Sequence, residues 1–161
     1  SPMSRGLGDV YKRQQLDDQA GLVYSLAVLE ACEKRQNQHD SALVHGTRRL
    51  EILSQLDDLE GLMESMADVA HTQATMGNFD AAIDLYNQSL ELSNTLEDVS
   101  GQFVARWGLA DISEIQGDYQ TAMLHLSDCL HAFIAFGLPA PAPIRERLDA
   151  LTKLENPQEE E

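Results

Sequence analysis

Apolar side chains recur at helical spacing along most of this chain, and the stripes break at regular points. Leu62, Met66 and Val69 fall about one turn apart in a stretch that runs to Thr75. The segment Met76-Gly77-Asn78-Phe79-Asp80 interrupts it, and Ala82, Ile83, Tyr86, Leu90 and Leu92 then draw a second stripe. The pattern predicts a helix, a tight turn and a second helix. Gly77 suits a left-handed residue after the first helix, and Asn78 or Asp80 suits the cap of the second. The stretch IQGDYQTAM repeats the form with Gly117 and Asp118.

The pattern returns every forty residues. LDDQAG (16–21), LDDLEG (56–61) and LEDVSG (96–101) stand at that spacing, as do Ala42, Ala82 and Ala122, then Leu50, Leu90 and Leu130, then Leu29, Val69 and Leu109. The hexapeptide reads as a joint between successive helical pairs. Its leucine closes a helix onto the core, and the two acids, Asp57 and Asp58, lie at or just before the next helix N-terminus, where a carboxylate accepts unpaired N–H groups. At the far end Gly137, Pro139 and Pro141 stop a helix. Ile144, Leu148, Leu151 and Leu154 then predict one more, over 142–155, that covers the exposed apolar end. The tail 156–161 is acidic and reads as solvated.

Within this repeat, Val69-Ala70, Gly77, Phe79 and Ala82 recur as Leu109-Ala110, Gly117, Tyr119 and Ala122. These residues resemble the tetratricopeptide repeat (TPR), in its 40-residue variant of the Pins and kinesin-light-chain class, over about residues 16–135. The resemblance implies an all-α fold: a right-handed superhelix, or solenoid, of three antiparallel helix-turn-helix TPR hairpins (about 18–57, 58–97 and 98–136) plus a C-terminal capping helix. Glu33, Gln73 and Ser113 stand at the family's first-helix tyrosine position. The first unit departs furthest, with Asn37 for the turn glycine, Gly46 for the second-helix aromatic and Arg49 for a small residue, which puts its packing in question.

Residues 1–15 lie outside the repeat. The first fourteen carry Arg5, Lys12 and Arg13 against Asp9, a net of +2 that leaves −18 for the rest of a chain whose total is −16. The string resembles a translated adapter artefact of the kind that recurs at the ends of proteins predicted from environmental sequencing, the alternative being a genuine short amphipathic segment, and it is set aside from the fold argument as non-native.

The charge argues against nucleic acid and against an anionic membrane surface, because both are bound largely through Lys and Arg. The chain is 43% hydrophobic and 6% aromatic, with a mean hydropathy of −0.30, which suits an aliphatic helical core. No apolar run reaches the length of a membrane span. Cys32 and Cys129 fall in helical stretches with no CxxC spacing and read as reduced core residues of a cytoplasmic protein. No phosphate-loop, dinucleotide, zincin, nucleophile-elbow or zinc-finger signature occurs. His125 and Cys129 are one turn apart, but His131 falls elsewhere on the wheel, so no metal is expected. No enzyme activity and no cofactor are expected.

Binding is the expected function. The resemblance implies a concave groove lined by the first helix of each hairpin, and it places there Tyr24, Lys34 and Arg35, then Glu64, Asp68 and His71, then Trp107, Asp111 and Glu114. Trp107, the one tryptophan, is either an aromatic anchor for a peptide or a packing residue between hairpins. The carboxylates suit a ligand carrying Lys or Arg. The Lys, Asn and Arg set with which family members grip a chaperone's C-terminal carboxylate is missing, so that ligand is not expected. The expected role is a scaffold or adaptor that binds a partner protein or peptide. The alternatives are a regulatory or structural arm of a larger signalling enzyme or receptor, of which this chain is a fragment, and a self-associating spacer.

Overall fold

The computed structural model describes residues 2–155; the acidic tail predicted at 156–161 lies outside the described residues. Seven helices follow one another: α1 (Pro2–Arg35), α2 (His39–Gln55), α3 (Leu59–Thr75), α4 (Phe79–Thr95), α5 (Val99–Ile115), α6 (Tyr119–Ala135) and α7 (Ala142–Glu155). Each packs on its neighbours in the chain, and α3 also meets α5. The all-helical array expected from the periodicity is the observed one. None of these helices is long and apolar enough to cross a membrane.

The turns explain the regularity. Left-handed residues stand every twenty positions, at Asn37, Asp57, Gly77, Glu97, Gly117 and Gly137. At five of them the next N–H reaches back five residues to a carbonyl, as in Asn78 to Gln73 at 2.9 Å and Asp98 to Ser93 at 2.9 Å. That closes the preceding helix and satisfies its last carbonyls. The following helix is capped by a carboxylate at three of the joints. Asp58 accepts from the Gly61 N–H at 2.9 Å, Asp98 from Ser100 at 2.9 Å, and Asp118 from Thr121 at 3.0 Å. Asn78 turns its side chain to Gln73 instead.

Two readings of the joints are corrected here. Asp57 does not serve the next helix; it takes the left-handed position, with φ of 53°. The first copy of the hexapeptide, LDDQAG, is not a joint at all, because α1 runs through it without a break. In the other copies the leucine ends a helix already packed on both sides. Residues 2–18 are exposed throughout, so nothing there holds a turn against continued i to i−4 hydrogen bonding.

Small residues set the helix spacing. Ala42, Ala82 and Ala122 are fully buried at one position of α2, α4 and α6, and Ala70 and Ala110 at one position of α3 and α5. One core cluster joins Ala70 and Ala82 to Ala67, Tyr86, Ala105, Leu109 and Ile112. A second joins Ala110, Ala122, Leu126 and Cys129 to Ile144 and Leu151 of α7, which thereby covers the apolar side of α6.

Candidate interaction groove

The first helices of successive pairs frame two adjoining clefts. One, of about 480 Å³, lies between Ala20, Val23, Tyr24 and Ala27 of α1, the end of α2, and Gly61, Glu64 and Asp68 of α3. The other, of about 340 Å³, lies between α3 and α5, with Met63, Ala67 and Val104 on its walls. Glu64 and Asp68 line both. Tyr24 stands on the wall of the first cleft, 72% exposed. Glu64 is exposed, and among the described residues nothing pairs with or donates to its carboxylate.

Asp68 is not free in the same way. Arg49 donates to it at 2.6 Å, and the Lys34 ammonium lies 3.6 Å from its carboxylate and donates to its backbone carbonyl at 3.0 Å. Behind it lies Glu30, 1% exposed, paired to Arg49 at 2.9 Å and to Lys34 at 2.9 Å. Arg49, 6% exposed, also donates to the Ser65 hydroxyl at 2.9 Å. A buried charge is tolerable only when paired and hydrogen-bonded. Here three helices supply the partners, and this is how the first pair packs despite Gly46 and Arg49.

The residues expected farther along the groove sit in a separate cluster. Arg147 of α7 stacks on the Trp107 ring, 4.5 Å from its centroid, and pairs with Asp111 and with Glu114 at 2.6 Å each. Phe103 packs on the same indole at 5.3 Å. Trp107 is therefore a packing residue between α5 and α7, and both acids are engaged within the chain. Arg35 folds back on its own helix, with its Nε 3.4 Å from the Ala31 carbonyl. Arg35 and His71 are exposed and line neither cleft. The structure thus brings Tyr24, Glu64 and Asp68 together, leaves Lys34 outside both clefts as a partner of Asp68 and Glu30, and gathers Trp107, Asp111 and Glu114 elsewhere.

The other candidate chemistry is muted by burial. Desolvation pushes the Cys129 thiol up to about 11, far from a reactive thiolate at neutral pH. Desolvation, and then Arg106, lower His125 below the usual histidine range. Among the described residues no group of three or more His, Cys, Asp or Glu is placed to hold a metal ion.

Glu30, Arg49 and Arg147 were not among the expected groove residues, yet they govern its charge. Glu30 carried a signal, because it interrupts the column of Ala70 and Ala110. Arg147 carried none beyond lying on the polar face of a terminal helix. No protein-family model matches the chain, and no curated protein matches it.

Proposed function

We propose that this chain is a three-hairpin array of the TPR type, α1–α2, α3–α4 and α5–α6, wound as a right-handed superhelix and capped by α7. Its function is to hold a partner's peptide along α1, α3 and α5, as a scaffold without catalysis in the cytoplasm. The observation that carries this reading is the pair of adjoining clefts that share Glu64, an exposed carboxylate with no internal partner, beside the apolar walls of Tyr24, Val23 and Val104. Such a surface suits an extended or helical peptide with apolar side chains flanking a Lys or Arg. Asp111 and Glu114 are saturated by Arg147, so the basic residue is read at Glu64, with Asp68 assisting.

The test is titration of capped peptides that carry one Lys or Arg between apolar residues, against wild type and Glu64→Lys. Glu64 touches no internal cation, so the variant keeps its fold, and circular dichroism verifies that. The expected result is a loss of about 1–3 kcal/mol of affinity in the variant. Equal affinity for both proteins, or no binding to wild type, removes the groove from the account.

A further inference from the structure

The internal repeat acts as its own control for the surface of α1. In α3 the face that includes Gly61, Ser65, Val69 and Thr72 is turned to α2. A Cβ on Gly61 would lie 2.8 Å from Leu53, Arg49 bonds Ser65, and Val69 lies against Gly46. In α5 the corresponding Ala105, Leu109 and Ile112 are buried in one cluster with Ala82 and Tyr86 of α4. The matching positions of α1 are Gly21, Ser25, Leu29 and Cys32, with Leu22 and Val28 beside them. Val69 and Leu109 are 2% and 4% exposed, but Leu29 is 46% exposed, and Leu22 and Val28 are about as open. Ser25 is exposed where Ser65 and Ala105 are fully buried. This is a face of helix-packing type, small residues among larger apolar ones, and among the described residues no helix lies on it.

The ends of this stripe identify its occupant. Asp17 and Asp18 stand at one end and Arg35 at the other, all exposed. A two-fold axis through the stripe at the level of residue 27 that sets two α1 helices antiparallel brings Arg35 of each copy beside Asp17 and Asp18 of the other. The same register places Leu22 against Cys32 and Leu29 against Ser25, large on small, in both directions. The face is self-complementary in charge and in shape. The end formed by α6 offers no rival surface for head-to-tail stacking, since α7 covers it. We infer that the chain forms an isologous dimer through the antiparallel pairing of two α1 helices along this stripe. Gly21, Ser25, Leu29 and Cys32 fall on a different face of α1 from Ala20, Tyr24 and Ala27, so the pairing is centred away from the cleft wall. It also lies wholly within residues 17–35, independent of the set-aside N-terminal string.

A single helix pair buries area at the low end for protein interfaces, so the dimer is weak and concentration-dependent. Sedimentation velocity on the full chain, loaded from about 10 to 500 μM, is expected to show monomer passing to dimer. Leu29→Glu, which alters an exposed side chain, is expected to hold the chain monomeric over that range with unchanged helicity. The register is read by Leu22→Cys with oxidised glutathione as oxidant. The new thiol is expected to bond Cys32 of the other copy, a link that cannot form within one helix, where ten residues span about 15 Å. Wild type, whose two Cys32 residues lie far apart in this register, is expected not to cross-link. Monomer at every concentration, a dimer that survives Leu29→Glu, or a Leu22→Cys dimer with no Leu22–Cys32 link each overturns the proposal. A monomer that captures a different protein through this face does the same. None of these outcomes bears on peptide binding at Glu64, which is measured separately.

Discussion

Two successive interfaces of this molecule share one backbone plan and fill it in opposite ways. Where α2 meets α3, Gly46 faces the carboxyl of Glu30, and Arg49 reaches across to Ser65 and Asp68. Forty residues on, where α4 meets α5, Glu30 becomes Ala70, Gly46 becomes Tyr86, Arg49 becomes Ser89 and Asp68 becomes Gly108. A Cβ on Gly108 would lie 2.2 Å from the Tyr86 ring, so the ring occupies the space that a side chain would need. The Ser89 hydroxyl donates to the Met63 carbonyl at 2.9 Å. One interface is a charged network over a glycine on the second helix; the other is an aromatic ring over a glycine on the following helix. What the repeat preserves is the filled volume between helices, and four coupled substitutions move it from one chemistry to the other.

The sharpest way to break the comparison is to remove the cation. Arg49→Met strands Glu30 with Lys34 alone and is expected to cost about 3–5 kcal/mol in urea unfolding. Copying the second interface into the first, with Glu30→Ala, Gly46→Tyr, Arg49→Ser and Asp68→Gly together, is expected to restore wild-type stability or exceed it by about 1–4 kcal/mol. Any one of the four alone destabilises.

The aromatic interface should betray itself at high pH. Desolvation, with Asp111 and Asp68 adding, pushes the Tyr86 hydroxyl up to about 12 from 10.0. The unfolded chain therefore releases this proton first. The stability tied to neutral Tyr86 is complete below pH 10 and is lost as pH rises through about 12, for a total of about 2–3 kcal/mol. Tyr86→Phe is expected to flatten that stretch of the stability–pH curve. Gly108→Ala tests the same contact by sterics. It is expected to cost about 1–3 kcal/mol, because the ring has to shift off the added methyl.

The smallest effect belongs to the joints. Glu97 holds a left-handed conformation, with φ of 55°, at the position where Gly77 and Gly117 stand in other joints. Glu97→Gly is expected to stabilise by about 0.5–1 kcal/mol, since the backbone penalty it removes exceeds the entropy it adds. A rise of a few degrees in melting temperature checks this.

The joints were legible in the sequence because turn chemistry is local: Gly77, Gly117, Gly137, Asp58 and Asp118 announce themselves within three or four residues. The same locality misled at LDDQAG. Its letters match a joint, but a joint also needs a packed helix before it, and no window of six residues reports that. The groove was legible only in part. Glu64 and Asp68 follow from the helical register. The neutralising partners do not, because Arg147 meets Asp111 across thirty-six positions of sequence and Arg49 meets Asp68 across nineteen. Period scanning aligns each residue with its own column, whereas the Glu30–Arg49–Asp68 network is a relation between columns.

The unlike interfaces also bear on how the chain assembles. An array of identical units can pair its segments out of order, a recognised hazard for repeat proteins. Here α4 cannot dock on α3 in place of α2, since Tyr86 would meet Asp68 and bury a carboxylate against a ring. Nor does α2 fit on α5, where Arg49 would find Gly108 in the place of Asp68. The charged cluster and the tyrosine thus work as two different keys, so each segment fits its own neighbour better than its repeat equivalent would, which disfavours shuffled pairings.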